Sequence, residues 1–209
     1  MRADAKKNYD HLLVIARDVI TKQGVDASLR DIARKAGVGM GTLYRHFPTR
    51  EDLLEALLRT RFDELTELAR GYANNDKPDA MLIAWLHDIV AVTQNYSGVI
   101  AVMVAAIAAP DSALHASCVA MRAAGTQLLT NAQQVGLARK DIDGTDLFAL
   151  ISALGWLGDQ PALAPRAEHL FGVIAGAILT NPASIDALVK TLPPSSITPQ
   201  DRNEATPET

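Results

Sequence analysis

At 209 residues, 48% hydrophobic but only 5% aromatic, the chain is long enough to bury a real core, and its Ala, Leu and Val favour helices packed on helices over sheets. The formal net charge of −4 does not announce a nucleic-acid binder, yet residues 1–60 carry eleven Lys/Arg against eight Asp/Glu (+3) and the remainder nine against sixteen (−7), a basic head on an acidic body. Cys118 is the single cysteine, which excludes an internal disulfide; MRADAKKNYD lacks the apolar core of a signal peptide; and the longest apolar run, Val99–Ala109, is far short of the ~20 residues that span a membrane. A soluble, cytoplasmic protein with no membrane partner is expected.

In chain order, residues 1–7 read as a polar arm. A first helix is expected from about Asn8 to Gln23, with Leu12, Ile15, Ala16, Val19 and Ile20 on one face and Gly24 past its end. From Ser28 to Phe47, SLRDIARKAGVGMGTLYRHF reads as two short helices around a tight turn. Leu29, Ile32, Ala33 and Ala36 stripe the first, Ser28 stands at its N-cap with Asp31 near the positive end of its dipole, and Gly37 follows its last periodic residue. Leu43 and Phe47 form the inner stripe of the second, leaving Thr42, Tyr44, Arg45 and His46 outward. Two short helices joined by a glycine-containing turn describe a helix-turn-helix, whose second helix enters the DNA major groove.

Pro48 stops that helix, and Thr49 is placed to cap a long one carrying Leu53, Leu54, Leu57, Leu58, Arg61, Leu65, Leu68 and Ala69 to about Tyr72. A fifth helix is expected from Pro78, striped by Met81, Trp85, Ile89, Val92 and Tyr96. Ser97 or Gly98 opens an almost wholly apolar helix to Ala109, and Pro110-Asp111-Ser112 starts another with Leu114, Cys118, Met121, Gly125, Leu128, Leu129 and Ala132 in line. Helices over about 145–157 and 166–179 follow, separated by a loop over 158–165, with a short one around 184–190. The tail over 191–209 has no core residues and reads as disordered. The expected fold is therefore all-α, about nine helices, with a helix-turn-helix domain over 1–48, a helical domain over 49–190 and the tail.

Ile32-Ala33, Ala36-Gly37-Val38, Gly41-Thr42-Leu43-Tyr44, His46-Phe47 and Arg50-Glu51 with Leu53-Leu54 together resemble the N-terminal signature of TetR-family transcription regulators. The match covers roughly Tyr9 to Leu58, about a quarter of the chain. The first turn of a recognition helix faces base edges, so Gly39, Met40, Thr42 and Arg45 are candidates for readout; Arg45 suits guanine O6 and N7, and Thr42 or Met40 a thymine methyl. Gly39 and Gly41 put little side chain there, where many relatives carry more, so base reading rests on few groups. The resemblance implies that Tyr44, His46 and Arg50 hold phosphates, and that Ser28 and Arg30 reach the flanking backbone or a base edge. The GVGMG run has neither the spacing nor the preceding strand of a phosphate loop.

The resemblance also implies a C-terminal helical domain that dimerises and holds a small molecule. Leu147, Leu150, Ile151, Leu154 and Trp156, with Leu170, Val173, Ile174, Ala177 and Ile178, are the candidate homodimer face, and Gly172 and Gly176 allow close helix approach. Trp85, Gln94, Tyr96, Met103, His115, Cys118 and Met121, with His87, are the candidate ligand residues, set against the plainer reading of such stripes as core. Low aromatic and charge content points to an uncharged or weakly polar ligand. His115 and Cys118, three apart, supply two metal ligands at most, too few for a site, and neither a metal nor a cofactor is expected. No nucleophile elbow, P-loop, HExxH or carboxylate pair supports an enzyme. The expected function is a homodimeric one-component repressor on pseudo-palindromic operator DNA, released by an unidentified small-molecule effector; the alternative is a DNA-binding repressor with no effector.

Overall fold

The computed structural model describes residues 2–24, 26–95 and 109–181. Among them run eight α-helices: α1 (Arg2–Gln23), α2 (Leu29–Lys35), α3 (Met40–His46), α4 (Arg50–Tyr72), α5 (Pro78–Asn95), α6 (Ala113–Gln134), α7 (Gly144–Gly158) and α8 (Ala167–Ile178), with a 3-10 turn at Ala164–Arg166 inside the expected loop. The described residues form no strand beyond one isolated antiparallel bridge, Ala138 to Leu179. All but the last residue of the expected apolar helix to Ala109 lie outside the described residues, as do the expected short helix around 184–190 and the tail over 191–209. Among the described residues no helix is long and apolar enough to cross a membrane.

One expectation is corrected at the start of the chain. Residues 2–7 are not an arm but the first turns of α1. Ala, Arg and Lys are strong helix formers and neither Gly nor Pro interrupts them before Gly24, so nothing in those turns opposes the helix.

The helix-turn-helix is closed by local chemistry. The Ser28 hydroxyl accepts from the Asp31 N–H at the start of α2. At its end Gly37 takes φ +67°, its N–H donates to the Arg34 carbonyl, and the Val38 N–H reaches back to Ala33, which are the two bonds of a Schellman motif. Leu12, Ala16, Val19 and Ile20 of α1 then meet Ile32, Ala33, Leu43 and Phe47 in one buried cluster.

α4 carries the chain from this head into the body. Thr49 and Asp52 form a reciprocal capping box: the Asp52 N–H donates to Thr49 Oγ1 at 3.0 Å and the Thr49 N–H to Asp52 Oδ2 at 2.9 Å. Leu53, Leu57 and Leu58 are buried at the head end, Phe62, Leu65 and Ala69 at the body end, where α4 lies along α6. Trp85 of α5 plugs the centre. Its Nε1–H donates to the Leu65 carbonyl at 2.8 Å, and its ring stands edge-on to Phe148 at 6.0 Å. Gly125 is what lets α6 come this close, because a Cβ there would sit 2.3 Å from the indole Cη2.

Candidate functional site

The recognition helix α3 shows its outer face to solvent. Tyr44 is 47% exposed, Arg45, Gly39 and Gly41 are exposed, and Met40 and Thr42 are half-buried at the turn. Cβ atoms built on Gly39 and Gly41 would meet nothing within 4 Å, so the first turn of α3 is open to a close approach from outside. Ser28 and Arg30, at the start of α2, are exposed as well.

Two of the expected phosphate-holding residues have work within the fold. His46 is half-buried, its ring 5.9 Å from that of Tyr9 on α1, and Phe47 lies 5.0 Å from the same tyrosine. Tyr9 and not Tyr44 is therefore the aromatic that joins α1 to the end of α3. The Tyr9 hydroxyl in turn accepts from Arg59 Nη2 on α4 at 3.3 Å. Arg50 donates through Nη1 to the Ala27 carbonyl at 2.7 Å, tying the loop before α2 to the start of α4. Both residues fix the angle at which α3 is held.

In the body, the expected ligand residues divide. Trp85 is fully buried, and with its N–H bonded and its ring against Gly125 and Phe148 it is core. His87 packs its ring 5.5 Å from Phe171 of α8. His115 sits in the first turn of α6, its backbone N–H donating to the Ser112 cap. Tyr96 and Met103 lie outside the described residues, as does the side chain of Gln94. Cys118 and Met121, by contrast, come together at a cleft of about 220 Å³ between α6 and α7, completed by Arg122, Thr145, Phe148, Ala149 and Ser152. Burial pushes the Cys118 thiol above its ordinary pKa, and the Arg122 charge opposes this more weakly, so the sulfur is an unreactive wall atom. No group of three or more His, Cys, Asp and Glu that would hold a metal occurs among the described residues.

A hydrogen bond ties the start of α6 to the head end of α4. The Leu114 N–H, at the start of α6 and one turn before Cys118, donates to Glu55 Oε1 of α4 at 3.0 Å. Glu55 lies one turn beyond the Thr49–Asp52 cap that begins α4.

The candidate dimer face is also corrected in part. Leu147, Ile151, Leu154 and Ile178 are in the core of the single chain. Helices α7 and α8 each carry two apolar stripes; the inner one of α7 closes on α5 and α6, and that of α8 on α7, with Phe171 against His87 of α5. Left outside are Trp156 and Val173, each 56% exposed, with Ala149, Ala153 and Ala177.

Comparison with known proteins agrees with this layout. The family model described as bacterial regulatory proteins, tetR family, matches residues 12–57, and the one for the C-terminal domain of SbtR-like transcriptional regulators matches residues 77–176. A solved TetR transcriptional regulator from Streptomyces coelicolor is 33% identical, with a TM-score of 0.62 over 83% of this chain and 99% of its own. The chain belongs to the TetR family. A second solved TetR regulator, from Mycobacterium vanbaalenii, is 27% identical with a TM-score of 0.58 over 86% of this chain and 99% of its own. An HTH-type transcriptional regulator of Staphylococcus aureus is 41% identical over 64 residues, 30% of this chain and only 35% of the length of that curated relative.

Several residues of this TetR-family chain were not singled out by sequence reasoning. Phe148, Thr145 and Ser152 had no signal beyond helical periodicity, and Glu55 looked like any exposed carboxylate of an amphipathic helix. Arg122 did carry one: apart from its single histidine, α6 has no other residue of the charged types in 22 positions.

Proposed function

We propose that this chain is a homodimeric one-component transcriptional repressor, divided into a DNA-reading head over 1–48 and a sensing and dimerising body over 49–190. The observation that carries it is the outer face of α3, where Tyr44 and Arg45 project from a helix whose first turn has glycine at 39 and 41 and open space beyond. Arg45 reads guanine, Met40 or Thr42 a thymine methyl, and Tyr44 with Ser28 and Arg30 grips the backbone. His46 and Arg50 serve the same end by holding α3 in place, with any remaining donors turned to phosphate.

One recognition helix touches too few bases for useful specificity, so two copies are needed. The exposed Trp156 and Val173 support a dimer across α7 and α8, and the open space over Gly172 gives a partner helix room to approach. Two heads then sit in successive major grooves, roughly 34–36 Å apart in the simplest arrangement. The cleft at Cys118 and Met121 supports effector control over the alternative of a repressor without one. An occupant there displaces the start of α6, and the Leu114–Glu55 bond passes that displacement to α4 and the head spacing. To empty the operator it must favour the non-binding state by several kcal/mol.

A gel-shift titration of the wild-type chain against Arg45→Ala and Tyr44→Phe tests the reading. Arg45→Ala is expected to cost about 1–3 kcal/mol of operator binding and relax specificity at one base pair, and Tyr44→Phe to weaken binding evenly across sequences. Unchanged affinity in both would refute it.

A further inference from the structure

The cleft between α6 and α7 carries a positive charge that no carboxylate among the described residues answers. Of its seven lining side chains, Cys118, Met121, Phe148 and Ala149 are apolar, Thr145 and Ser152 bring hydroxyls, and Arg122 brings a guanidinium. No carboxylate lines it among the described residues, and no ion pair to Arg122 occurs among them. The guanidinium lies over the Phe148 ring, 5.3 Å from its centroid, which holds the planar group at the wall without neutralising it. The Ser152 hydroxyl donates to the Phe148 carbonyl at 2.8 Å, which ties it to its own helix. An arginine fork matches a carboxylate in two parallel hydrogen bonds.

The size of the cleft is sufficient for such an occupant. Drug-sized ligands fill roughly 300–1,000 Å³, whereas an apolar cavity of about 150 Å³ already takes a benzene ring. At about 220 Å³ the open cleft has room for at least one ring or a short chain with a carboxylate attached.

Resting on the effector-controlled reading above, we infer that the effector is a small organic acid, its apolar body against Phe148 and Ala149, with the buried Met121 and Cys118 behind them, and its carboxylate on Arg122. This replaces the uncharged ligand expected from composition, because a mean over the whole chain dilutes the one arginine placed where it decides.

The test uses matched probes on the whole dimerising chain: benzoate against benzamide, and hexanoate against hexanamide, by calorimetry at constant ionic strength. At least one acid is expected to bind about ten- to a hundredfold more tightly than its amide. That preference is expected to vanish in Arg122→Met, which keeps the apolar stem, and to return in part in Arg122→Lys, with circular dichroism confirming the fold of both. Equal binding of acid and amide, no binding of either acid, or a preference that survives Arg122→Met overturns the inference. Operator gel shifts on the same preparations separate the two readings. Operator binding without an acid preference removes the ligand class and leaves the regulator, whereas an acid preference in a protein that binds no operator keeps the ligand class and removes the regulator.

Discussion

In the head, the residues suited to meet a ligand point away from the core; in the body, Trp85, Cys118 and Met121 are part of the core. Tyr44 is 47% exposed on a helix anchored by the fully buried Leu43, whereas Trp85, Cys118 and Met121 are at most 1% exposed. The head therefore has one packed face and one open face along a single short helix. The body fills its interior with the same side chains that border its cleft, so a change made for recognition there is also a change in stability.

The sharpest way to break this contrast is to remove the plug. Trp85→Ala deletes a fully buried indole and its bond to the Leu65 carbonyl, and is expected to cost about 3–5 kcal/mol in urea unfolding. A loss below about 1 kcal/mol would mean that the ring does not fill the junction of α4, α5 and α6. The head gives the opposite result with Gly41→Ala. Alanine there meets no protein atom and suits a helix better than glycine, so stability is expected to rise by up to about 1 kcal/mol while operator affinity falls about tenfold or more. Unchanged affinity would show that the backbone of α3 stays clear of the groove floor.

A smaller effect is expected where the two regions join. Glu55→Gln keeps an acceptor for the Leu114 N–H but removes its charge, and is expected to cost about 1 kcal/mol of stability while leaving operator affinity in place. If an effector is at hand, its power to release DNA should weaken in this variant; full release would mean that the signal takes another route. The smallest effect is electrostatic and confined to the loop between α6 and α7. The Arg139 guanidinium, bonded to Asp141 at 2.6 Å, holds that carboxyl at about 2, below its ordinary 3.8. Because the folded value is the lower one, the pair favours the native state above pH 3.8, and that contribution is lost as pH falls toward 2. A carboxyl titration by NMR should return Asp141 to its ordinary range in Arg139→Ala; an unmoved titration would contradict the pairing.

The same contrast decides what a reader of the bare sequence can see. The helix-turn-helix is legible because its parts are local and spaced by rule: Ser28 caps, Gly37 turns left-handed, Leu43 and Phe47 lie four apart, and Thr49 with Asp52 caps α4. The order of the body helices is legible from Pro78 and from Pro110-Asp111-Ser112 at their starts. The cleft is not, because periodicity marks Trp85 and Cys118 alike as inward and cannot say which inward residue has empty space beside it. That depends on Gly125 admitting the indole and on α7 meeting α6 at Phe148, contacts between residues 23 to 63 positions apart. Periodicity does not part the two stripes of α7 for the same reason, and Leu154 is separated from Trp156 only by where α5 lies.

Footprinting of the purified chain on the DNA flanking its own gene, across a salt series, tests most directly whether a dimer of these heads reads one operator. Saturable nanomolar binding is expected, with two protected half-sites about one helical turn apart and a steep loss of affinity with salt. Weak, sequence-indifferent binding at every salt concentration, with no paired protection, would contradict it.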